Sequence, residues 1–476
     1  MVTGLQLLSS ASNLVNNPIQ AVLIGAGHRG MDAYGSYALQ HPEEINIIAV
    51  AEPNQNRRGL FSARHNIDQK MQFESWEELF ELPQLGEAAL ICTQDQMHTE
   101  PALAALKAGY HVLLEKPMAP TQWECQLLVD TAEEASRQLH ICHVLRYTEH
   151  FQQLKTIIDS GVLGNIVNIS HRENVAWWHM AHSYVRGNWR KKAQSAPMIL
   201  TKCCHDLDIL IWLLEDRAET INSIGNLQYY RPENAPPGAT KRCLDGCPVA
   251  DDCRYYAPFI YLEHTPLINA VIDSAPGLTR LAARTYLKKP GIIRFLSGYI
   301  PSLKILTEYR GWPSSVVALD PTPKNLKQAL KDGPYGRCVF HCDNDVVDHQ
   351  VVSMGFERGP SVTLTMHGHS HLEGRMTRIE ASNATLTSAF SFGGSWIEIN
   401  EHRTDRRTRY NTTSSIRTNH GGGDHRLMAG FIKALQEDNP DAALTSARKS
   451  LESHLMAFAA EEARLGKKTI RMSDFR

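Results

Sequence analysis

Ile19-Gln-Ala-Val-Leu-Ile24-Gly25-Ala-Gly27-His28-Arg29-Gly30 is the stretch that decides the fold. A short apolar run of strand length enters a Gly-x-Gly-x-x-Gly turn, and the residues beyond it read as a helix. In that setting each glycine has a task. Gly25 makes the tight turn, Gly27 lets backbone approach a pyrophosphate, and Gly30 lets helix and strand pack closely. The helix start then offers free N–H groups and the positive end of its dipole to an anion. Gly25, Gly27, His28, Arg29 and Gly30 are therefore candidate dinucleotide contacts.

Working outward, Ile45–Ala51 is a second apolar strand that ends at Glu52. An acid there accepts hydrogen bonds from the adenosine ribose hydroxyls and repels a 2′-phosphate, which favours NAD over NADP. Arg57 and Arg58 soften that preference. The alternation continues with strands over 88–93, 111–115 and 139–145 and helices over 98–109 and 121–138. Strands alternating with helices predict a doubly wound parallel sheet, whose ligands sit at the carboxyl ends of its strands. Gly25, Glu52, Thr93 and Lys116 fall at such ends, and Glu115 and His98 beside them are further candidate cofactor contacts. In Glu115-Lys116-Pro117 the lysine leaves a buried strand into the cofactor crevice, where it can help a substrate hydroxyl lose its proton.

The rest of the composition constrains the class. The chain has 476 residues, 42% hydrophobic and 21% charged, with a formal net charge of −2. That balance gives no reason to expect nucleic acid as a partner. No apolar run is long enough to span a membrane, and residues 1–19 lack the basic start of a signal peptide. Ten cysteines are too few for a disulfide scaffold, which points to a reducing cytoplasm.

Taken together, the Gly25–Gly30 loop, Ala51-Glu52-Pro53 and Glu115-Lys116-Pro117 resemble the glucose–fructose oxidoreductase/inositol dehydrogenase (Gfo/Idh/MocA) family. Thr93-Gln-Asp-Gln-Met-His98 is similar to its T-P-x-x-x-H turn, Ser160-Gly-Val-Leu-Gly164 to its entry into the second domain, and His205-Asp-Leu-Asp208 to its H-x-x-D helix. The resemblance implies a lead-in over 1–19 and a Rossmann domain over 20–150. It also implies an α/β domain over 151–476 built on a large open, mainly antiparallel sheet. A homo-oligomer formed through that sheet follows from the same likeness. The implied activity is NAD(P)-dependent hydride transfer to or from a secondary hydroxyl of a sugar, glycoside or polyol. Lys116 is then the active-site lysine and His205 the acid/base histidine. The family's D-x-G-x-H reads Thr201-Lys202-Cys203-Cys204-His205 here, so Lys202 or Asp206 is expected to take over part of the aspartate's work. Two alternatives stand beside this reading: a redox-neutral NAD-dependent enzyme that cleaves or eliminates, and a non-catalytic NAD- and sugar-binding regulator.

Residues 173–190 are rich in aromatics, histidine and arginine. Trp178, His179, Arg186 and Trp189 are candidate sugar contacts, since flat rings stack on sugar faces and polar side chains bind hydroxyls. Tyr147, after the last Rossmann strand, and Asp206 join them. His420-Gly-Gly-Gly-Asp424 offers either a close backbone approach to ligand or a helix cap. From about 228 to 336 the pattern breaks, and the stretch reads as an insertion. It carries Cys243, Cys247 and Cys253, which suit a soft metal such as structural zinc with a fourth ligand from Cys338, His341 or Cys342. Buried free thiols, a disulfide or a redox pair are the alternatives, and an iron–sulfur cluster ranks below zinc. The basic, partly apolar stretch 278–310 reads as surface or oligomer contact.

Overall fold

The computed structural model describes residues 17–275, 277–391, 394–412 and 419–476. Six parallel strands form the first sheet: β1 (Ile19–Ile24), β2 (Ile45–Ala51), β3 (Gln72–Phe73), β4 (Ala88–Ile91), β5 (His111–Leu114) and β6 (Leu139–Ile141). Their order is β3-β2-β1-β4-β5-β6, the doubly wound dinucleotide-binding order. β1, β4 and β5 are buried almost throughout, as expected for strands covered by helices on both faces. β3 is only two residues long and is the one strand here that the pattern did not announce.

The second sheet has nine strands: β7 (Ile166–Ala176), β8 (Ala218–Asn226), β9 (His349–Phe356), β10 (Ser361–Ser370), β11 (Gly374–Ala381), β12 (Ala384–Ser391), β13 (Ser395–Glu401), β14 (Arg407–Thr412) and β15 (Ile470–Arg471). Their order is β14-β13-β12-β11-β7-β10-β9-β8-β15, antiparallel throughout except that β7 and β10 run parallel. Ile169, His171, Glu173 and Val175 of β7 alternate inward, where helix Cys204–Leu214 covers them. The outer face stays open.

The last part of the chain returns to the first domain. Leu427, Met428, Phe431 and Ile432 of helix Gly423–Gln436 bury against Ala21, Leu23 and Tyr34. The Thr445 carbonyl accepts the Ile141 N–H at 2.9 Å, beside β6. Helix Ala447–Gly466 then packs its apolar face into the core shared by both sheets. The division at residue 150 therefore describes the order of the chain and not its packing. Between β8 and β9 the expected insertion forms a string of helices from Ala257–Tyr261 to Pro323–Asp332. No helix of the described residues is long and apolar enough to cross a membrane.

Candidate active site

The glycine loop has the geometry a pyrophosphate requires. Gly25 sits at φ +91°, and a Cβ there would lie 2.8 Å from the Cys92 carbonyl. A Cβ on Gly30 would strike the Gly25 carbonyl at 2.2 Å, so helix and strand touch only because it is absent. A Cβ on Gly27 would meet nothing within 4 Å, which leaves that face open for a ligand. Glu52 is buried at the end of β2, and its carboxylate accepts the Ala26 N–H at 2.9 Å and the Asn54 N–H at 3.0 Å. Arg58 donates to the Glu52 carbonyl and pairs with Glu74, so it is engaged away from a 2′-phosphate, while Arg57 is exposed. These residues fit an NAD-type cofactor.

Arg29 does not point to solvent. Its guanidinium meets Glu115 Oε1 at 2.5 Å and Asp424 Oδ1 at 2.6 Å, and it donates to the Tyr34 hydroxyl at 2.7 Å. Burial pushes the Glu115 carboxyl up, but Arg29 and Tyr34 hold it below its ordinary range. Asp424, from the glycine-rich tail, is thus an ion-pair partner of the cofactor loop. His28 is exposed and pairs with Asp32 on the next turn.

Lys116 stands at the carboxyl end of β5, preceding a cis Pro117. Two histidines fix this turn. His98 bridges the Pro117 carbonyl at 2.7 Å and the Thr93 carbonyl at 3.2 Å, and His454 Nε2 accepts the Met118 N–H at 2.8 Å. The Lys116 ammonium reaches across to the second domain and donates to the Thr201 carbonyl at 2.7 Å. The residue in the family's aspartate position thus meets the lysine through its backbone. His205, one helical turn on, is 7% exposed and faces His143 at 3.5 Å between their Nδ1 atoms. Burial, with Arg146 and Lys116 nearby, holds His143 well below the ordinary histidine range, so it is a neutral partner.

A charged floor lies beside this pair. Lys202 contacts Glu373 at 3.0 Å and Glu173 at 3.1 Å. Arg375 contacts Asp206 at 2.7 Å and Glu173 at 2.9 Å. Asp206 also receives His171, which in turn meets Thr377. Three carboxylates face two cations here, so one negative charge is in excess. Glu173 bears the consequence: burial pushes its carboxyl up to about 7 against the pull of Arg375 and Lys202. Burial opposes the charge on Lys202 too, but Glu173 and Glu373 hold it well above the ordinary lysine range. Lys202 is therefore a fixed cation and hydrogen-bond donor. His179 Nδ1 meets Glu373 at 3.0 Å, and Trp178 and His179 both pack on Trp312 of the insertion.

The structure brings Lys116, Lys202, His205, Trp178 and His179 together where the two domains meet, buries the candidate Asp206 beneath them in ion pairs with no surface left for a sugar, and sends three other candidates elsewhere. Trp189 donates its indole N–H to Asp95 at 2.9 Å and ties the two domains together at the turn before His98. Tyr147 is buried, and its hydroxyl accepts the Leu444 N–H at 2.9 Å under the returning tail. Arg186 is fully buried and donates to the carbonyls of Arg337 and Tyr255, both at 2.7 Å, on the insertion side. Burial and prior hydrogen bonding keep these two from a sugar. Glu373, Arg375, His143 and Trp312 were missed. His143 follows β6, Glu373 and Arg375 flank the first residue of β11, and Trp312 lies in the insertion, so no local pattern joins them.

Comparison with known proteins agrees with this geometry. Residues 19–143 match the family model described as "Oxidoreductase family, NAD-binding Rossmann fold", and residues 151–241 match the "GFO/IDH/MocA C-terminal domain". Both models are of the Gfo/Idh/MocA family, and these two regions of the chain are similar to it. Inositol 2-dehydrogenase of Salmonella typhimurium is 26% identical over 204 residues, 43% of this chain and 56% of that protein. The 2,7-anhydro-N-acetylneuraminate hydratase of Escherichia coli is 28% identical over 213 residues, 44% of this chain and 54% of that one. The chain thus spans about half the length of the curated relatives it matches. Levoglucosan dehydrogenase, solved with NADH and L-sorbose, superposes with a TM-score of 0.63 at 14% identity, covering 96% of this chain and 99% of that one. Aldose–aldose oxidoreductase of Caulobacter crescentus gives 0.62 at 11%, covering 96% and 100%.

Proposed function

We propose that the protein is an NAD-dependent oxidoreductase that transfers a hydride between a secondary hydroxyl of a sugar, glycoside or polyol and the nicotinamide. One observation carries this reading. Lys116, at the end of a Rossmann strand, meets the Thr201 carbonyl across the crevice, with His205 one turn away. The bound dinucleotide supplies the hydride acceptor. The Lys116 ammonium donates to the substrate oxygen and favours its deprotonated form as the carbon–hydrogen bond weakens. His205 takes the departing proton, with His143 as its neutral neighbour. Lys202 and His179 bind hydroxyls, Asp206 holds Arg375 and His171 beneath them, and Trp178 presents a flat apolar face to the ring. The crevice is lined by donors and acceptors of both signs, which suits a neutral polyhydroxylated ligand. Incubation with NAD and a carbohydrate panel tests the reading. NADH should accumulate with at least one sugar or polyol, and Lys116→Ala should abolish that signal. Binding of NAD and sugar without turnover of any panel member overturns it.

A second reading rests on the missing aspartate. With Thr201 in that position, the side chain one helical turn before His205 is neutral, and His205 Nδ1 lies 3.5 Å from that of His143. A redox-neutral elimination or cleavage, in which the hydride returns to the substrate, asks less of that histidine as a net proton acceptor. Such an enzyme consumes substrate with no net NADH.

The open sheet face supports self-association. Ile224, Val351, Thr365, Arg172, Met376, Ala389 and Trp396 form one cross-strand row from β8 to β13. Ile224 is 74% exposed, which costs a monomer apolar surface in water. A homo-oligomer that buries this row is expected, and an Ile224→Glu variant should run as a monomer in light scattering.

A further inference from the structure

The insertion holds a cluster that hydride transfer does not use. Cys243, Cys247, Cys253 and Cys338 all line one small cavity, together with Arg186. The chain is built to bring the fourth of these from far away in sequence. Cys243 N–H donates to the Gly336 carbonyl and Cys338 N–H to the Lys241 carbonyl, both at 2.9 Å, a short antiparallel bridge that sets Cys338 beside Cys243.

Every sulfur in this ring receives a donor. Backbone N–H groups two residues on, at Val249, Tyr255 and Phe340, bond Cys247, Cys253 and Cys338. The Arg186 guanidinium reaches Cys243 at 3.6 Å. The nearby Cys342 is the contrast, since its thiol itself donates to the Cys338 carbonyl, and His341 is exposed. Arg186 supplies an independent observation. It is 0% exposed, its partners are two carbonyls, a thiol and the Tyr261 hydroxyl, none of them an acid, and its Nη1 meets no acceptor within hydrogen-bond geometry. A buried guanidinium without an anion is costly. A metal bound by four thiolates carries net negative charge and supplies that anion.

We propose that Cys243, Cys247, Cys253 and Cys338 ligate an iron–sulfur cluster, with Arg186 as its buried counter-cation. Spacing selects the cluster over the single zinc expected from the sequence. Four thiolates on one zinc lie about 3.8 Å apart, the edge of a tetrahedron with a 2.3 Å bond. Among the described residues, the one group of three or more His, Cys, Asp or Glu ligand atoms within 4.8 Å of one another is His41, Glu43 and Glu44. The four sulfurs are therefore spread more widely than one zinc allows, as they are when shared among several irons. The cluster ties Cys243, which packs in one apolar group with Trp178, to the far end of the insertion.

The full chain, purified without oxygen, tests this by iron, zinc and acid-labile sulfide analysis with a visible spectrum. Iron and sulfide in equal amounts are expected, with an absorption that dithionite bleaches. Zinc in stoichiometric amount without sulfide overturns the cluster. So does a metal-free chain that stays metal-free after incubation with ferrous iron and sulfide. Cys338→Ser should lose the iron and Cys342→Ser keep it, and the reverse result overturns the ligand set. If Cys338→Ser fails to fold, Arg186→Gln decides. It should lower the cluster's reduction potential, since a nearby positive charge is gone, and an unchanged potential overturns the counter-cation role.

Discussion

Two buried cationic sites in this molecule are solved in opposite ways. On the crevice floor, Lys202 and Arg375 face Glu173, Asp206 and Glu373, and the group balances once a single proton is added. Sixteen positions before Lys202, Arg186 is buried more deeply still, yet its described partners include no carboxylate. A closed network needs nothing from outside, and its polar atoms are free to select a ligand by geometry. A cation left open in a ring of thiols is complete only with an anionic partner. The first arrangement belongs to a site that exchanges substrate, the second to one that keeps its ligand.

The sharpest way to separate the two regions is to strike the crevice where the chemistry is assigned. Lys116→Ala should lower kcat/KM by about 10² to 10⁴, the range for a lost general acid–base group, while the melting temperature and any metal content stay unchanged. A parallel loss of iron would break the comparison by coupling the two sites. Next in size, Arg375→Met leaves Asp206 and Glu173 buried with one cation fewer. We expect a loss of about 3–5 kcal/mol in unfolding free energy by urea titration. A loss below about 1 kcal/mol would mean that the floor is not a closed charge network.

The shared proton gives a pH signature. Burial raises the Glu173 carboxyl from its ordinary 4.5 to about 7, so between those values the folded state holds a proton that the unfolded state releases. This contribution is fully present below 4.5 and disappears as pH rises through 7. Glu173→Gln keeps the neutral form at every pH. The melting temperature of the wild type should fall relative to that variant between pH 4.5 and 7, and the variant should match or exceed it at pH 8. Parallel curves for the two proteins would place the excess charge elsewhere.

How much of this was legible in the sequence follows the range of the interactions. The glycine loop, Glu52, Lys116 and the strand pattern are local signals, and β1 and β2 begin and end where alternation and turns predict. The crevice floor is not local. Glu173 and Arg375 sit on neighbouring strands about 200 residues apart, and their pairing is set by the β7–β11 register. Trp189 and Arg186 had the right chemistry for a sugar site, but the fold uses the first as a domain clasp and the second inside the insertion. The cysteines were visible as an oddity. Which of Cys338, His341 and Cys342 joins them is set by a bridge between residues 241–243 and 336–338 that no local pattern encodes.

The smallest expected effect concerns the adenosine end of the cofactor. Glu52 already accepts two backbone N–H groups, from Ala26 and Asn54, so it is held in place before any ligand arrives. A ribose diol would add donors to this fixed carboxylate, and hydrogen bonds to a charged group contribute about 1.5–3 kcal/mol each. Glu52→Gln keeps the shape and one acceptor oxygen but loses the charge. NAD binding, measured by calorimetry, should weaken by roughly tenfold, while NADP should weaken less or improve, because the 2′-phosphate no longer meets a negative charge. Equal weakening of both would show that the carboxylate shapes the loop and leaves the choice of cofactor to Arg57, the one cation at this end that is exposed and near enough in sequence to reach a 2′-phosphate.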